Sequence, residues 1–548
     1  MQAFGPLFRD ILPVPCVSGG TYTKRNPAIQ DFVIRGGTVF DGLGSPGVTA
    51  DVLIQGGAIT KIGAIPTVDA AEIDASGLYV TPGFIDIHSH SDFTLLVDPR
   101  AVSSISQGVT LEVIGNCGHG CFPLVDKTLA RNAIYGITDD LPLNWSSAAE
   151  YLDRLDAVGP AINVLTLVPN GQLRQAAMGM KDGPAATDEL RQMLRYLEEG
   201  LDAGAFGFST GLEYPIEVGA AASEIEALLE PVARRDLLYS THTRRRDKGA
   251  IGAVTEALET ARKAGVRLQV SHLLPRGGRD DCEACIDIVE VARQAGQDVS
   301  FDMHTRAFSL PYLHAMLPPW ALVDGLTALP DHIADPSARA RIEAFPSIVN
   351  SGGWDRVVLL DNKIVPELGR LDFATIGRRL GMAPVDAALS LLCQPAEATG
   401  PLMIVRPVYD AEDQALAFGH PLCVPGSDAT ALCPDGPLSG SAFHGAYSWA
   451  AWFFRFSVRE AEFLTPQAAI HKLTGQPAEI LKLRDRGRLQ PGMRADIAVF
   501  DPTAFGERAT QWEPNQTAVG MRHVFVNGDL AFAEGAPTET RSGQVLRA

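Results

Sequence analysis

Phe84-Ile85-Asp86-Ile87-His88-Ser89-His90 is the stretch from which the rest of the chain is best read. An apolar run of strand composition ends in His-x-His, and side chains alternate faces along a strand, so His88 and His90 leave it on the same side. Two imidazoles so placed can share one metal ion. On its own the pair is weak, because many buried histidines serve only the core; its meaning depends on what other strand ends carry.

Seven more β-like runs follow: Val109–Cys117, Ala161–Val168, Ala205–Gly211, Leu237–Thr243, Val266–His272, Asp298–Met303 and Leu422–Asp428. Amphipathic stretches of helical length separate several of them, as in Thr187–Ala203, Ala222–Arg235, Gly249–Ala264 and Asp281–Ala295. That alternation predicts an α/β fold with a parallel sheet and crossover helices, and eight strands are what a closed (β/α)8 TIM barrel requires.

Such barrels carry their active sites at the carboxyl ends of the strands. Cys117 stands at the end of the second run, His242 of the fifth, His272 of the sixth and Asp428 of the eighth. Histidines scattered through a core have no reason to gather there. Imidazole, thiolate and carboxylate are the donors that zinc prefers, so the expected metal ligands are His88, His90, Cys117, His242, His272 and Asp428. The ion would activate a water as nucleophile and polarise a scissile carbonyl. Asp428, a carboxylate beside the metal, is the expected general acid/base, taking the water's proton and handing it to a leaving nitrogen. His304, just beyond the seventh run, is expected to face the same pocket.

Both ends of the chain have a different texture. Residues 1–30, rich in Pro and Gly and without periodicity, read as an N-terminal extension. Short β-like runs punctuated by glycine fill 31–82 and return in 485–548, where Val524–Val526 is followed by the turn pair Asn527-Gly528. One small β-sandwich domain built from both ends is therefore expected around a hydrolase domain at 83–484. More than 100 residues separate the last two strand candidates, and about 311–400 reads as a helical insertion after strand seven.

The net charge of −19 and pI near 5.1 argue against nucleic acid or an anionic membrane as partner. The short basic run Arg244, Arg245, Arg246 with Lys248 fits a solvated turn or a small anion clamp. With no apolar run of 18 residues and no leader-like N-terminus, a cytoplasmic protein acting on a small-molecule amide is expected. Homo-oligomerisation is left open. Eight scattered cysteines suit reduced thiols, and Cys282-x-x-Cys285 lies in a helical stretch where burial fits better than redox pairing.

Taken together, Phe84–His90, Gly115-Asn116-Cys117-Gly118, Ser209-Thr210-Gly211-Leu212-Glu213-Tyr214, Thr241-His242-Thr243-Arg244, Val270-Ser271-His272 and Gly426-Ser427-Asp428 resemble the D-aminoacylase, or N-acyl-D-amino-acid deacylase, branch of the amidohydrolase superfamily. The likeness runs from about residue 31 to the C-terminus. Arg486-Gly487-Arg488-Leu489 and Ala495-Asp496-Ile497 are similar to the family's closing segment, and Leu317-Pro318-Pro319-Trp320 to its insertion. The resemblance implies hydrolysis of a non-peptide amide. Cys117, His242 and His272 would hold a tighter zinc, with His88 and His90 serving a second, weaker one. Tyr214 would line the pocket or help polarise the carbonyl.

Three departures concern substrate recognition. Leu274 stands where the family usually has a lysine, His304-Thr305-Arg306 replaces its Tyr-Pro-Tyr, and Phe443-His444-Gly445 lies where its His-Pro-Arg is expected. Two outcomes follow: Arg244 or Arg306 supplies a relocated cation for an acidic substrate, or the pocket takes a neutral aryl amide or a cyclic ureide, as dihydropyrimidinases and hydantoinases do.

Overall fold

The computed structural model describes residues 30–127, 141–214, 216–322, 326–345, 347, 349, 353–362, 364–394 and 402–548. The expected N-terminal extension, Gln30 apart, lies outside them, as do parts of the expected insertion. Two compact units are distinct: among the described residues one comprises 306–411 and the other the rest.

In the larger unit each expected strand is present. They are β1 (Phe84–Asp86), β2 (Val109–Ile114), β3 (Asn163–Thr166, continuing at Val168–Pro169), β4 (Gly207–Gly211), β5 (Leu238–His242), β6 (Arg267–Val270), β7 (Val299–His304) and β8 (Cys423–Gly426). Their pairing is parallel throughout, β1 to β2 to β3 and then β3 to β4, β5, β6, β7 and β8 in order. Beyond the ends of β8 and β1, Ala429 and Ser89 form a further parallel bridge.

The connecting helices follow from apolar spacing. In Thr187–Asp202 the buried Met193, Leu197 and Leu201 recur every four residues, and Asp188 and Glu189 favour the first turn. In Arg279–Gln294 the buried residues are Cys282, Cys285, Ile286 and Val289, one stripe of a helix. Burial pushes both of these thiols up to about 12, so Cys282 and Cys285 act as packing groups.

Both ends of the chain enter one nine-stranded sheet, joined where Tyr79–Pro82 pairs antiparallel with Ile497–Phe500. Asn527-Gly528 makes the two-residue hairpin, with φ of 52° and 90°, that brings Val526 opposite Asp529. Phe32, Ile34, Val52, Ile54, Ile497 and Phe525 bury themselves in one cluster drawn from both ends. Beneath it Asp496 accepts hydrogen bonds from Arg486 Nη1 (2.7 Å), Asn163 Nδ2 (3.0 Å) and Asn527 N (2.6 Å), tying the sheet to β3. The last residues leave that sheet: Val545 bridges Val164, and Leu546 N donates to Val164 O (2.8 Å).

The smaller unit has its own core around Leu313, Ile342, Phe373, Leu389 and Ile404. Its helices Leu329–Ala334, Pro336–Glu343, Phe373–Leu380 and Pro384–Leu392 accompany a short antiparallel sheet, Phe308–Ser309, Ile404–Pro407 and Val358–Leu359, which the reading of 311–400 as helical did not include. Strands of two to four residues leave too few alternations to show as a pattern. Among the described residues no helix is long and apolar enough to cross a membrane.

Candidate metal centre

Four of the strands stop earlier than their sequence suggests. β1 ends at Asp86, so His88 and His90 lie past the strand, on a segment held by Ser89 N to Val113 O (3.0 Å), His90 N to Ala429 O (2.7 Å) and Asp428 N to His88 O (2.9 Å). β2, β6 and β8 likewise end before Cys117, His272 and Asp428. These three residues have φ of 54°, 35° and 44°, in the left-handed region that costs a non-glycine residue about 1–3 kcal/mol.

Glycine makes the turn at Cys117 possible. A Cβ on Gly115 would collide with Leu167 O, and one on Gly118 with Glu217 Oε1; both have φ near 70°.

The donors converge. Cys117 Sγ lies 3.2 Å from His88 Nε2 and 3.6 Å from His272 Nε2, and His242 Nδ1 lies 3.0 Å from His272 Nε2. One ligand atom from each of His88, Cys117 and His272 falls within 4.8 Å of the others, and the same holds for His88, His90 and Asp428. His88 thus belongs to both groups, whereas the resemblance placed it with His90 alone. The reason is Asp302, which accepts from His88 Nδ1 (3.1 Å) and leaves Nε2 facing both Cys117 and Asp428 Oδ1 (3.6 Å). Asp428 Oδ1 also meets His90 Nε2 at 3.2 Å. His88, Cys117, His242 and His272 are buried, while His90 and Asp428 are half-buried, so the cluster has a deep end and an open one.

The electrostatics suit a cation. Burial disfavours the Cys117 thiolate, but the charge of His88 and the close imidazoles of His242, His272 and His88 outweigh it and hold the thiol well below its ordinary range. His272 is pushed down to about 4, by burial first and then by Arg246 and His242, and so stays neutral with a lone pair to give. Its Nε2 faces the donor cluster, while its Nδ1 is buried with no hydrogen-bond partner. One thiolate and neighbouring imidazoles fit zinc.

Tyr214 stands beside this set, its hydroxyl 3.3 Å from His242 Nδ1 and its ring 4.6 Å from that of His119. His304 closes β7 and is buried, its ring 6.3 Å from that of His272. The guanidinium of Arg244 donates to Glu256 and to the carbonyls of Val218 and Ala220, holding the loop after β4. Arg306 opens the smaller unit.

Three side chains were not singled out from sequence. Asp302 also accepts from His272 N (2.8 Å) and Gln269 Nε2 (3.1 Å). Glu213 accepts from His242 Nε2 (2.9 Å) and from both terminal nitrogens of Arg276 (3.0 Å each). Burial pushes the Glu213 carboxyl up, but Arg276 and His242 prevail and hold it well below the ordinary carboxylate range. A carboxylate inside the otherwise apolar end of β7 was the available signal for Asp302; Glu213 and Arg276, on loops, had none.

An amidohydrolase family model matches residues 71–238 and 432–532. The N-acyl-D-glutamate deacylase of Alcaligenes xylosoxydans xylosoxydans is 35% identical over 523 residues, covering 94% of this chain and 96% of that protein. The chain belongs to the amidohydrolase family, in its D-aminoacylase branch. An N-acyl-D-aspartate deacylase of the same organism is 32% identical to this amidohydrolase over 526 residues, 95% of each. Among solved structures, N-acyl-D-glutamate deacylase from Bordetella bronchiseptica, complexed with zinc and a phosphonate that mimics the reaction's tetrahedral intermediate, superposes with a TM-score of 0.77 at 32% identity, covering 95% of this chain and 100% of that one. The resemblance seen in separate motifs therefore extends along nearly the whole amidohydrolase chain.

Proposed function

We propose that this amidohydrolase removes the acyl group from an N-acyl-D-amino acid, and that the eight parallel strands close into a (β/α)8 barrel to bring its donors together. The observation that carries this reading is the convergence of Cys117, His88, His242 and His272 beside a half-buried Asp428. The deacylases of D-glutamate and D-aspartate derivatives named above support the substrate class. Residues 31–82 and 485–548 act as one β-domain around a hydrolase domain at 83–484, with the insertion at about 311–400.

Cys117, His242 and His272, with His88 shared, would hold zinc at the buried end; His88, His90 and Asp428 would form a weaker site at the open end. When bound, the ion supplies Lewis acidity, bringing the pKa of water toward neutrality and polarising the scissile carbonyl. Asp428 accepts the proton of the attacking water and delivers it to the amide nitrogen as the C–N bond breaks, leaving a carboxylic acid and an amine. Its position at the exposed rim lets its carboxylate reach a substrate that the buried donors do not. Tyr214, whose hydroxyl lies 3.3 Å from His242 Nδ1, would turn its O–H toward the carbonyl oxygen.

The experiment is metal analysis of purified protein, followed by hydrolysis assays on N-acyl-D-amino acids, their L counterparts, neutral aryl amides and hydantoins. Turnover confined to the D series, with Asp428→Asn lowering kcat about 10²–10⁴-fold while retaining the buried metal, is expected. Turnover confined to neutral amides or hydantoins would overturn the substrate class, and undiminished kcat in Asp428→Asn would overturn the role of that residue.

A further inference from the structure

His242 is the last residue of β5, and the loops after the strands on either side each supply one charged side chain on its Nε2 side. Glu213 follows two residues after β4, and Arg276 six residues after β6. Arg276 Nη1 donates to Glu213 Oε1 and Nη2 to Oε2, both at 3.0 Å, a two-point fork that fixes the carboxylate plane. Oε2 of that same carboxylate meets His242 Nε2 at 2.9 Å. Arg276 is positioned in turn by its own backbone, whose N donates to Arg246 O (2.6 Å), while Arg246 Nη2 donates to His272 O (2.7 Å).

An ionised carboxylate accepts hydrogen bonds and cannot donate them, so the proton of neutral His242 resides on Nε2. The lone pair is then on Nδ1, the nitrogen that lies 3.0 Å from His272 Nε2 and faces the donor cluster. With the opposite tautomer, Nδ1–H would point into the cluster and Nε2 would confront a negative oxygen.

We propose that Glu213 and Arg276 form a positioning pair that sets the tautomer and ring orientation of His242, and thereby the strength with which the buried site holds its metal. This rests on the metal reading above. Neither residue touches the reacting atoms. Outer carboxylates that orient a ligating histidine change metal affinity by roughly 10–100-fold when removed. Because Arg276 acts through Glu213, the two effects do not add.

The test measures the zinc dissociation constant by competition with a chromophoric chelator, and records the thiolate-to-metal and ligand-field absorption of the cobalt(II)-loaded protein. Wild type comes first: if it takes up no zinc, the metal site itself is wrong and this pair with it. Given zinc in wild type, Glu213→Ala should weaken its binding about 10–100-fold and alter the cobalt spectrum. Arg276→Ala should do the same to a lesser degree, and the double variant should be no weaker than Glu213→Ala. Glu213→Gln keeps an acceptor oxygen and should recover part of the affinity, and it serves as the measured variant if Glu213→Ala does not fold. Wild-type zinc affinity and cobalt spectrum in a folded Glu213 variant would overturn the proposal even if its Tm were lowered. So would additive losses in the double variant.

Discussion

At the scale of single residues, the site is built from groups held in states they would not choose in water. Cys117, His272 and Asp428 accept left-handed backbone, and Asp302 and Glu217 are carboxylates taken out of solvent. Glu217 shows the cost most directly. It accepts from Asn170 Nδ2 (2.7 Å) and Gly211 N (3.0 Å), joining the start of the helix after β3 to the end of β4. Burial first, with the Cys117 charge adding, raises its pKa from 4.5 to about 7 against those two hydrogen bonds. A raised folded-state pKa means that the group's contribution is whole below the unfolded value and fades as pH climbs through the folded one. Between pH 5 and 8 wild type should therefore lose stability relative to Glu217→Gln, which does not titrate, by roughly 1–3 kcal/mol at about 1.4 kcal/mol per pH unit of the gap. Urea unfolding midpoints across that range measure it; parallel curves for the two proteins would show that Glu217 ionises normally.

At the scale of elements, loops decide the chemistry and strands supply the platform. The segment after β2 can reverse at Cys117 because Gly115 brings its backbone against Leu167, where Leu167 N donates to Ile114 O (2.9 Å). Gly115→Ala should push β3 away, lower stability by about 1–3 kcal/mol through strain alone, and displace the sulfur from its neighbours. Gly159→Ala is the control: its φ of 65° is similar, but a Cβ there meets nothing within 4 Å. Melting temperature and zinc content, read together, separate the two. Equal metal content and equal melting in both variants would mean that the Gly115 contact is soft. The same division explains what was legible at this scale. Helix bounds were readable to within two residues because a stripe such as Met193, Leu197 and Leu201 repeats over several turns. The carboxyl ends of β1, β2, β6 and β8 were read too long, because extended chain past the last ladder bond has the same composition as the strand itself.

At the scale of the whole molecule, the candidate ligands come from the ends of β1, β2, β5, β6 and β8, separated by up to 340 residues of chain, His88 to Asp428. A cation held by all of them joins segments that the unfolded chain leaves apart, so its binding energy adds to folding energy. Dialysis against a chelator should lower Tm and zinc should restore it, by about 4 kcal/mol of stabilisation when free zinc reaches a thousand times Kd. Scanning calorimetry checks this; a Tm indifferent to chelator and zinc would mean the donors do not act as one site. Asp496, paired with the buried Arg486, also accepts from Asn163 of β3 and so ties the terminal sheet to the strand beside β2.

Strand count, the helices between the strands, the candidate donors and the family were all legible along the chain, because hydrophobic period and strand-end placement are local properties written into consecutive residues. Tertiary structure alone decided how the donors group, with His88 shared through Asp302; that Arg244 is bound up with Glu256; and that Glu213 and Arg276 flank His242. Those are hydrogen-bond choices among side chains from different strands, and no periodicity along one strand records which neighbour a carboxylate or a guanidinium will find across the sheet.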